Sequence, residues 1–259
     1  KQLEDIEVDR SRVGRRMRRG EFDLVVFGNI RGQKLPFLRF LASGGLGRRG
    51  TRVCCLDGRD GTRAYRPALL AGPYYKREQD GDSPASVRSI GFSIPEAKLR
   101  RERPEKTKRF ARQVQCPEAY RLDEVRRECT MDHVFDQERD YYDDLARSRY
   151  GVTMRKGGWD CMRHYEIAAN HAVPLFYRLA DKPGPSAPHG LTDMVNVVAF
   201  DTAAELVAKL ERIERESLYE GLCEAAADWA ADNTCQKVAA RLLGEVLGER
   251  SPQSRDLGR

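Results

Sequence analysis

The chain has no apolar run long enough to cross a membrane. Its longest, such as Leu24–Phe27 and Val195–Phe200, are strand-sized, whereas a spanning helix needs roughly 20 residues. The first residues, Lys1-Gln2-Leu3-Glu4-Asp5, lack a signal-peptide apolar region, so a cytoplasmic protein is expected. Seven cysteines, an odd count with Cys54 and Cys55 adjacent, make no disulfide framework, and reduced thiols are expected. There is no G-x-S-x-G elbow, no Walker A glycine-lysine loop and no His-Glu-x-x-His. Serine hydrolase, P-loop NTPase and zincin chemistry therefore lack their parts. The densest basic runs, Arg10–Arg19 and Leu99–Arg109, have only Phe110 nearby. A nucleic-acid surface would interleave aromatics for base stacking, so these runs read as solvated helix faces or lobe edges, and no nucleic acid is expected.

What is present is a charged, soluble composition: 33% charged and 40% hydrophobic residues, with 46 Lys+Arg against 40 Asp+Glu for a net +6. Anionic ligands suit that balance. A chain of 259 residues can bury a sizeable core and suggests two lobes. Phe22–Gly28 reads as a buried parallel strand, Leu35–Leu41 as a helix ending at Gly44-Gly45, and Thr51–Leu56 as a second strand. Together they form a βαβ unit. Regular pattern thins from Ala64 to Ile94, where Val87–Ile94 resembles a strand ending at Pro95. Residues 96–147 read as charged and largely helical, with a short strand or turn around Cys116–Tyr120. Farther on, Ala172–Phe176 and Met194–Phe200 read as strands on either side of a proline-rich loop. Thr202-Ala-Ala-Glu205 is a capping box opening an amphipathic helix. A helix or helix pair follows from Ser217 to about Leu247. The class is α/β with two Rossmann-like lobes. The expected organisation is an N-terminal lobe over 1–95, a second lobe over 96–235, and a C-terminal helix and tail over 236–259.

Asp57, at the end of the second strand, stands where a dinucleotide site places its ribose-binding acid. The glycines do not agree. After the first strand the chain offers Gly28-Asn-Ile-Arg-Gly32 rather than G-x-G-x-x-G, so the close-approach points for a pyrophosphate are missing.

The segment richest in chemistry runs Arg155-Lys156-Gly157-Gly158-Trp159-Asp160-Cys161-Met162-Arg163-His164-Tyr165-Glu166. Two cations and two glycines ahead of a helix start make a cradle for a phosphate, because free backbone N–H groups and the positive dipole end both favour anions. Arg155 and Lys156 with Gly157 and Gly158 are the candidate diphosphate site. Asp160 is an N-cap for a helix from Cys161 to about Asn170, or an acid at the site. His164 is a phosphate or proton-transfer partner, or a buried histidine. Glu166 lies in the second turn, and side chains lean toward a helix N-terminus, so its carboxylate can reach a sugar hydroxyl there. His189 sits on a loop after a strand, where ligand contacts concentrate. Cys129-x-x-x-His133 and Cys161-x-x-His164 have metal-ligand residue types in two pairs, but no zinc-knuckle turns flank them.

Gly157 to Asn170, running on to Val173-Pro174, resembles the donor-binding segment of bacterial two-lobed glycosyltransferases of the GT-B fold, most specifically over residues 145–200. The resemblance implies two Rossmann-like lobes facing a cleft, with a short N-terminal lobe on the acceptor side. It also implies Gly157 and Gly158 at the donor sugar and diphosphate, Arg155 and Lys156 on the diphosphate, and Glu166 on the nucleotide ribose. Two departures stand out. Where retaining members carry a second glutamate eight residues before the ribose one, this chain has Gly158, and where a small glycine follows the helix it has His171. The expected activity is metal-independent transfer of a sugar from a nucleoside-diphosphate sugar, such as a UDP-sugar, to a small-molecule or carrier-bound acceptor. The nucleotide-sugar is the co-substrate and no cofactor is expected, with Asp160 and His164 as candidate catalytic residues. The alternative is a non-catalytic module binding a nucleotide or an anionic partner.

Overall fold

Two parallel sheets organise the computed structural model, which describes residues 16, 19, 21–42 and 52–248. The first sheet is built from β1 (Leu24–Phe27), β2 (Arg52–Asp57), β3 (Tyr74–Lys76) and β4 (Val87–Ser89), with helices α1 (Lys34–Ala42) and α2 (Arg66–Leu69) in its crossovers. The second is built from β5 (Lys108–Phe110), β6 (Ser148–Met154), β7 (Val173–Tyr177) and β8 (Val198–Phe200). Helices α3 (Asp123–Glu128), α4 (Glu138–Arg147) and α5 (Met162–Ala169) lie between those strands. Helices α6 (Ala203–Arg215), α7 (Tyr219–Asp232) and α8 (Cys235–Leu247) follow them. The spatial orders are β1-β2-β3-β4 and β5-β6-β7-β8, all pairs parallel. Each crossover steps the same way, so among the described strands no order reverses to open the crevice where doubly wound sheets usually bind ligands. The loops at the C-terminal ends of the strands are the remaining place for a site.

The chain divides into two compact units. One is Lys1–Ile90 together with Leu242–Arg259, and the other is Gly91–Arg241. The boundaries read from sequence were 95 and 235. The basic run at Arg10–Arg19 lies outside the described residues except for Arg16 and Arg19, as does Gly44-Gly45.

In the first unit the apolar stripe of α1 buries Phe37 and Phe40 against Phe27, Val53, Cys55 and Tyr74. Phe27 and Phe37 meet edge to face at 5.1 Å. Full burial of such a side chain contributes roughly 1.5–3 kcal/mol. The opposite face of the sheet packs Cys54 and Tyr75 on Val246 of α8. Gly72, at φ 153°, precedes β3 so closely that an added Cβ would sit 2.3 Å from the Val53 carbonyl.

Period-two alternation governs the second unit. Tyr150 and Val152 of β6, Val173 and Leu175 of β7, and Val198 and Phe200 of β8 share one core with Leu206, Leu210 and Ile213 of α6. The other side chains of β6, Gly151 and Thr153, turn to α5. A Cβ on Gly151 would come within 2.6 Å of Ile167, so the glycine lets α5 lie directly on the strand. At the capping box of α6, Thr202 accepts from the Glu205 N–H at 3.2 Å, and the Glu205 carboxylate takes the Asp201 N–H at 2.8 Å beside that of Thr202.

Three expectations need correction. β3 lies in the stretch read as irregular, and the strand expected over Val87–Ile94 is only Val87–Ser89. The stretch 96–147 is much less helical than its charge suggested: it holds β5, two single 3-10 turns and helices only at Asp123–Glu128 and Glu138–Arg147. Pro104 and Pro117 interrupt it. β5 is too short to show its own period and is specified by its pairing with Ser148–Tyr150. The charge density of that stretch is spent on ion pairs: Arg100 with Asp143 at 2.6 Å, and Arg103 with Glu220, Lys108 with Asp144, and Arg109 with Glu124. No helix among the described residues is long and apolar enough to cross a membrane.

Candidate functional site

β6 delivers Arg155, Lys156, Gly157 and Gly158 at its C-terminal end, directly before α5. The loop is tight, with the Lys156 N–H donating to the Gly158 carbonyl at 3.0 Å. Gly157 is exposed and Gly158 buried. The Arg155 guanidinium lies 5.3 Å from the centre of the Trp159 ring, a cation–π distance. The Lys156 ammonium donates to the Gln115 carbonyl at 3.3 Å. Its pKa is lowered, first by partial burial and then by the charge of Arg163. Arg163, in the first turn of α5, donates to the Gln113 carbonyl at 3.0 Å. Among the described residues none of these three cations pairs with a carboxylate. The helix opens from Cys161 with no side-chain oxygen cap; the Arg163 N–H lies against the Cys161 thiol and the His164 N–H donates to the Cys161 carbonyl at 3.2 Å.

Asp160 does not cap α5, as the sequence had suggested. The helix begins two residues later, and the Asp160 carboxylate, 2% exposed, takes the Phe92 N–H at 2.6 Å and the Tyr165 hydroxyl at 2.9 Å. It braces the 92 region and α5. His164 is also a core residue rather than a surface acid or base. It is 0% exposed and stacks on Phe176 at 4.5 Å. Its Nε2 lies 2.8 Å from the Trp159 carbonyl, which can only accept, so Nε2 carries the hydrogen and Nδ1 accepts from the Thr153 hydroxyl at 2.8 Å. Burial pushes its pKa down to about 4, with the Arg163 charge acting the same way. Both ring nitrogens are engaged inside the protein.

Glu166 is half-buried and faces α4, where it accepts from the hydroxyls of Tyr141 at 3.1 Å and Tyr142 at 3.3 Å. His189 stands in the loop after β7. Its backbone carbonyl is fixed by the Trp229 indole N–H at 2.7 Å. Desolvation and Lys182 lower its pKa. The two Cys/His pairs do not assemble: no group of three or more metal-ligating side chains is placed to hold an ion among the described residues. His133 is engaged by Gln113 at 3.2 Å. Burial raises the thiols of Cys129, to about 12, and of Cys161. His171 occupies the left-handed region at φ 55° just past α5, the conformation that favours glycine at this place. Its Nε2 lies 3.0 Å from the Arg100 carbonyl.

The other sheet edge is closed by its own charges. Asp57, 1% exposed, is bound by Arg31 at 2.9 Å, by the Tyr74 hydroxyl, and by Lys76 at 3.3 Å, itself fully buried. Burial alone would raise the Asp57 pKa, but these partners outweigh it and hold the carboxyl below its usual value. An acid so engaged is not free for a ribose hydroxyl.

No sequence family and no curated protein matches the chain. Solved structures do. A glycosyltransferase from Rickettsia africae ESF-5 superposes with a TM-score of 0.54 at 8% identity, over 93% of this chain and 81% of that one. Anabaena Alr3699/HepE, solved in complex with UDP, gives 0.52 at 10% identity, over 93% and 82%. The pneumococcal O-GlcNAc transferase GtfA, solved with UDP and GlcNAc, gives 0.50 at 9%, over 91% of this chain and 59% of that one. The fold is GT-B.

Within this GT-B chain, sequence reading missed two groups of residues. One is Arg163, although a signal was present: a cation in the first turn of a helix opposes the macrodipole, which marks it as needing another reason to be there. The other is the pair Tyr141 and Tyr142, whose approach to Glu166 depends on how α4 packs on α5 and leaves no local mark.

Proposed function

We propose that the chain is a glycosyltransferase that takes its sugar from a nucleoside-diphosphate donor, with the diphosphate held at the C-terminal end of β6. The observation that carries this reading is the set of cations at that loop, Arg155, Lys156 and Arg163, unmatched by carboxylates among the described residues and set around a helix start with no side-chain oxygen cap. A dianionic ligand would relieve the repulsion between Lys156 and Arg163 and meet the positive dipole end of α5. Gly157 and Gly158 leave room for the donor sugar and phosphates, and Glu166 accepts from the ribose. His189 is a donor contact from the neighbouring loop. The fold supports the same reading, as does the UDP bound to HepE and GtfA.

With Asp160 and His164 held in the core, the chemistry at this loop is electrostatic. The cations and the helix dipole stabilise negative charge developing on the departing diphosphate. No residue at the loop is assigned as a base, and the acceptor is not specified by these side chains.

Calorimetry with UDP tests the reading. Hydrogen bonds to charged groups contribute about 1.5–3 kcal/mol, so Lys156→Ala and Arg163→Ala should each weaken UDP binding about tenfold or more, with circular dichroism unchanged. Unaltered affinity in both variants sinks the assignment. A chain that binds UDP tightly but neither transfers nor hydrolyses a labelled sugar donor is a binding module instead.

A further inference from the structure

Helix α4 offers two consecutive tyrosines to one carboxylate of α5. Successive side chains on a helix diverge by about 100°, yet Tyr141 reaches Glu166 Oε2 at 3.1 Å and Tyr142 reaches Oε1 at 3.3 Å. Both rings are fixed by other contacts. They meet edge to face at 5.7 Å. Phe135 packs on Tyr141 at 5.7 Å, with the Arg163 guanidinium 5.9 Å from the Tyr141 ring centre, and the Lys98 ammonium lies 5.3 Å from that of Tyr142. Burial raises the pKa of both phenols and the charge of Glu166 raises them further, so both hydroxyls remain donors.

A carboxylate accepts about four hydrogen bonds. Two are taken by these hydroxyls, one on each oxygen, which fixes the plane of the group and leaves its remaining lone pairs for a ligand. Arg163, 5.9 Å from the Tyr141 ring centre, is the cation of the β6 loop group nearest these tyrosines.

We propose that Tyr141 and Tyr142 are positioning residues that hold the Glu166 carboxylate in the orientation that accepts the ribose diol of a nucleoside diphosphate. The inference rests on the reading of Glu166 as the ribose acceptor. Its prediction is specific to the diol: the tyrosines govern the preference for ribose over a sugar without those hydroxyls, not the affinity for the diphosphate.

The experiment compares dissociation constants for UDP and 2′,3′-dideoxyuridine diphosphate in the full chain and in Tyr141→Phe, Tyr142→Phe, the double variant and Glu166→Gln. The wild-type chain is expected to prefer UDP about tenfold or more, the worth of a hydrogen bond to a charged group. In the double phenylalanine variant that preference should fall to about twofold or less, while affinity for the dideoxy compound stays within about twofold. Phenylalanine variants that melt at lower temperature but keep the full preference show tyrosines that only pack α4 on α5, and overturn the proposal. If Glu166→Gln erases the preference while the phenylalanine variants keep it, positioning fails and the ribose role stands. A wild-type chain that binds UDP without preference overturns the ribose role and the positioning together.

Discussion

At the C-terminal edge of β1 to β4, Asp57, Asp60 and Glu78 answer Arg31, Lys76 and Arg77. At the same edge of β5 to β8, Arg155, Lys156 and Arg163 meet no carboxylate among the described residues. Both sheets are parallel, four-stranded and ordered alike, so the architecture does not dictate this difference. It lies in single residues at strand ends. In the first sheet the charges complete one another and serve stability. In the second, Lys156 and Arg163 repel one another, a repulsion that the proposed diphosphate would relieve.

Removing Asp57 should produce the largest effect. Asp57→Asn removes the carboxylate that Lys76, fully buried, and Arg31 share, and breaking such a set costs about 3–5 kcal/mol. Urea unfolding measures it; a loss under 1 kcal/mol would mean that the first edge is as tolerant as the second. Acid sharpens the contrast next. The His164 pKa is about 4 in the folded chain against about 6.5 unfolded. Between those values the unfolded chain binds the extra proton, so stability present above pH 6.5 is lost as pH falls toward 4. The shift corresponds to roughly 3 kcal/mol. Asp57, with its folded pKa depressed, contributes stability that persists through this window and disappears only as pH falls below the ordinary carboxylate value. His164→Gln should flatten the melting-temperature slope between pH 4 and 6.5, and a slope equal to that of wild type would refute the buried neutral state. The smallest stability effect belongs to the second edge. Arg163→Met removes a cation from a helix start but also its bond to the Gln113 carbonyl, so the two effects should leave stability within about 1 kcal/mol of wild type, while UDP affinity falls about tenfold. A marked loss of melting temperature would make Arg163 a structural residue, and the two edges would then be alike.

The alternation of strand and helix was legible at β1, α1 and β2, then at β7 and α5 to α7, with Thr202 marking the start of α6; β6, the longest strand, was not read, its polar and glycine positions masking the period. Three-residue strands such as β3 and β5 were not, because their pairing partners are distant in sequence and supply the signal. At the candidate site the cations and glycines of the β6 loop could be read directly, since flexible, charged residues before a helix leave few other uses. The states of His164 and Asp160 could not. A histidine near an acid looks the same in sequence whether it faces a ligand or the core. Thr153 on β6 and Phe176 on β7 decide the matter for His164, and Tyr165 and Phe92 decide it for Asp160.

The last turns of α8 return to the first unit: Val246 packs on Cys54 and Tyr75, its carbonyl accepts from Arg52 at 2.6 Å, and Glu245 accepts from the Tyr75 hydroxyl at 2.7 Å. Residues Gly91–Arg241 form a contiguous unit, whereas the first unit joins two segments far apart in sequence. Closing it carries the loop entropy of the whole intervening stretch, a cost that grows only slowly with length.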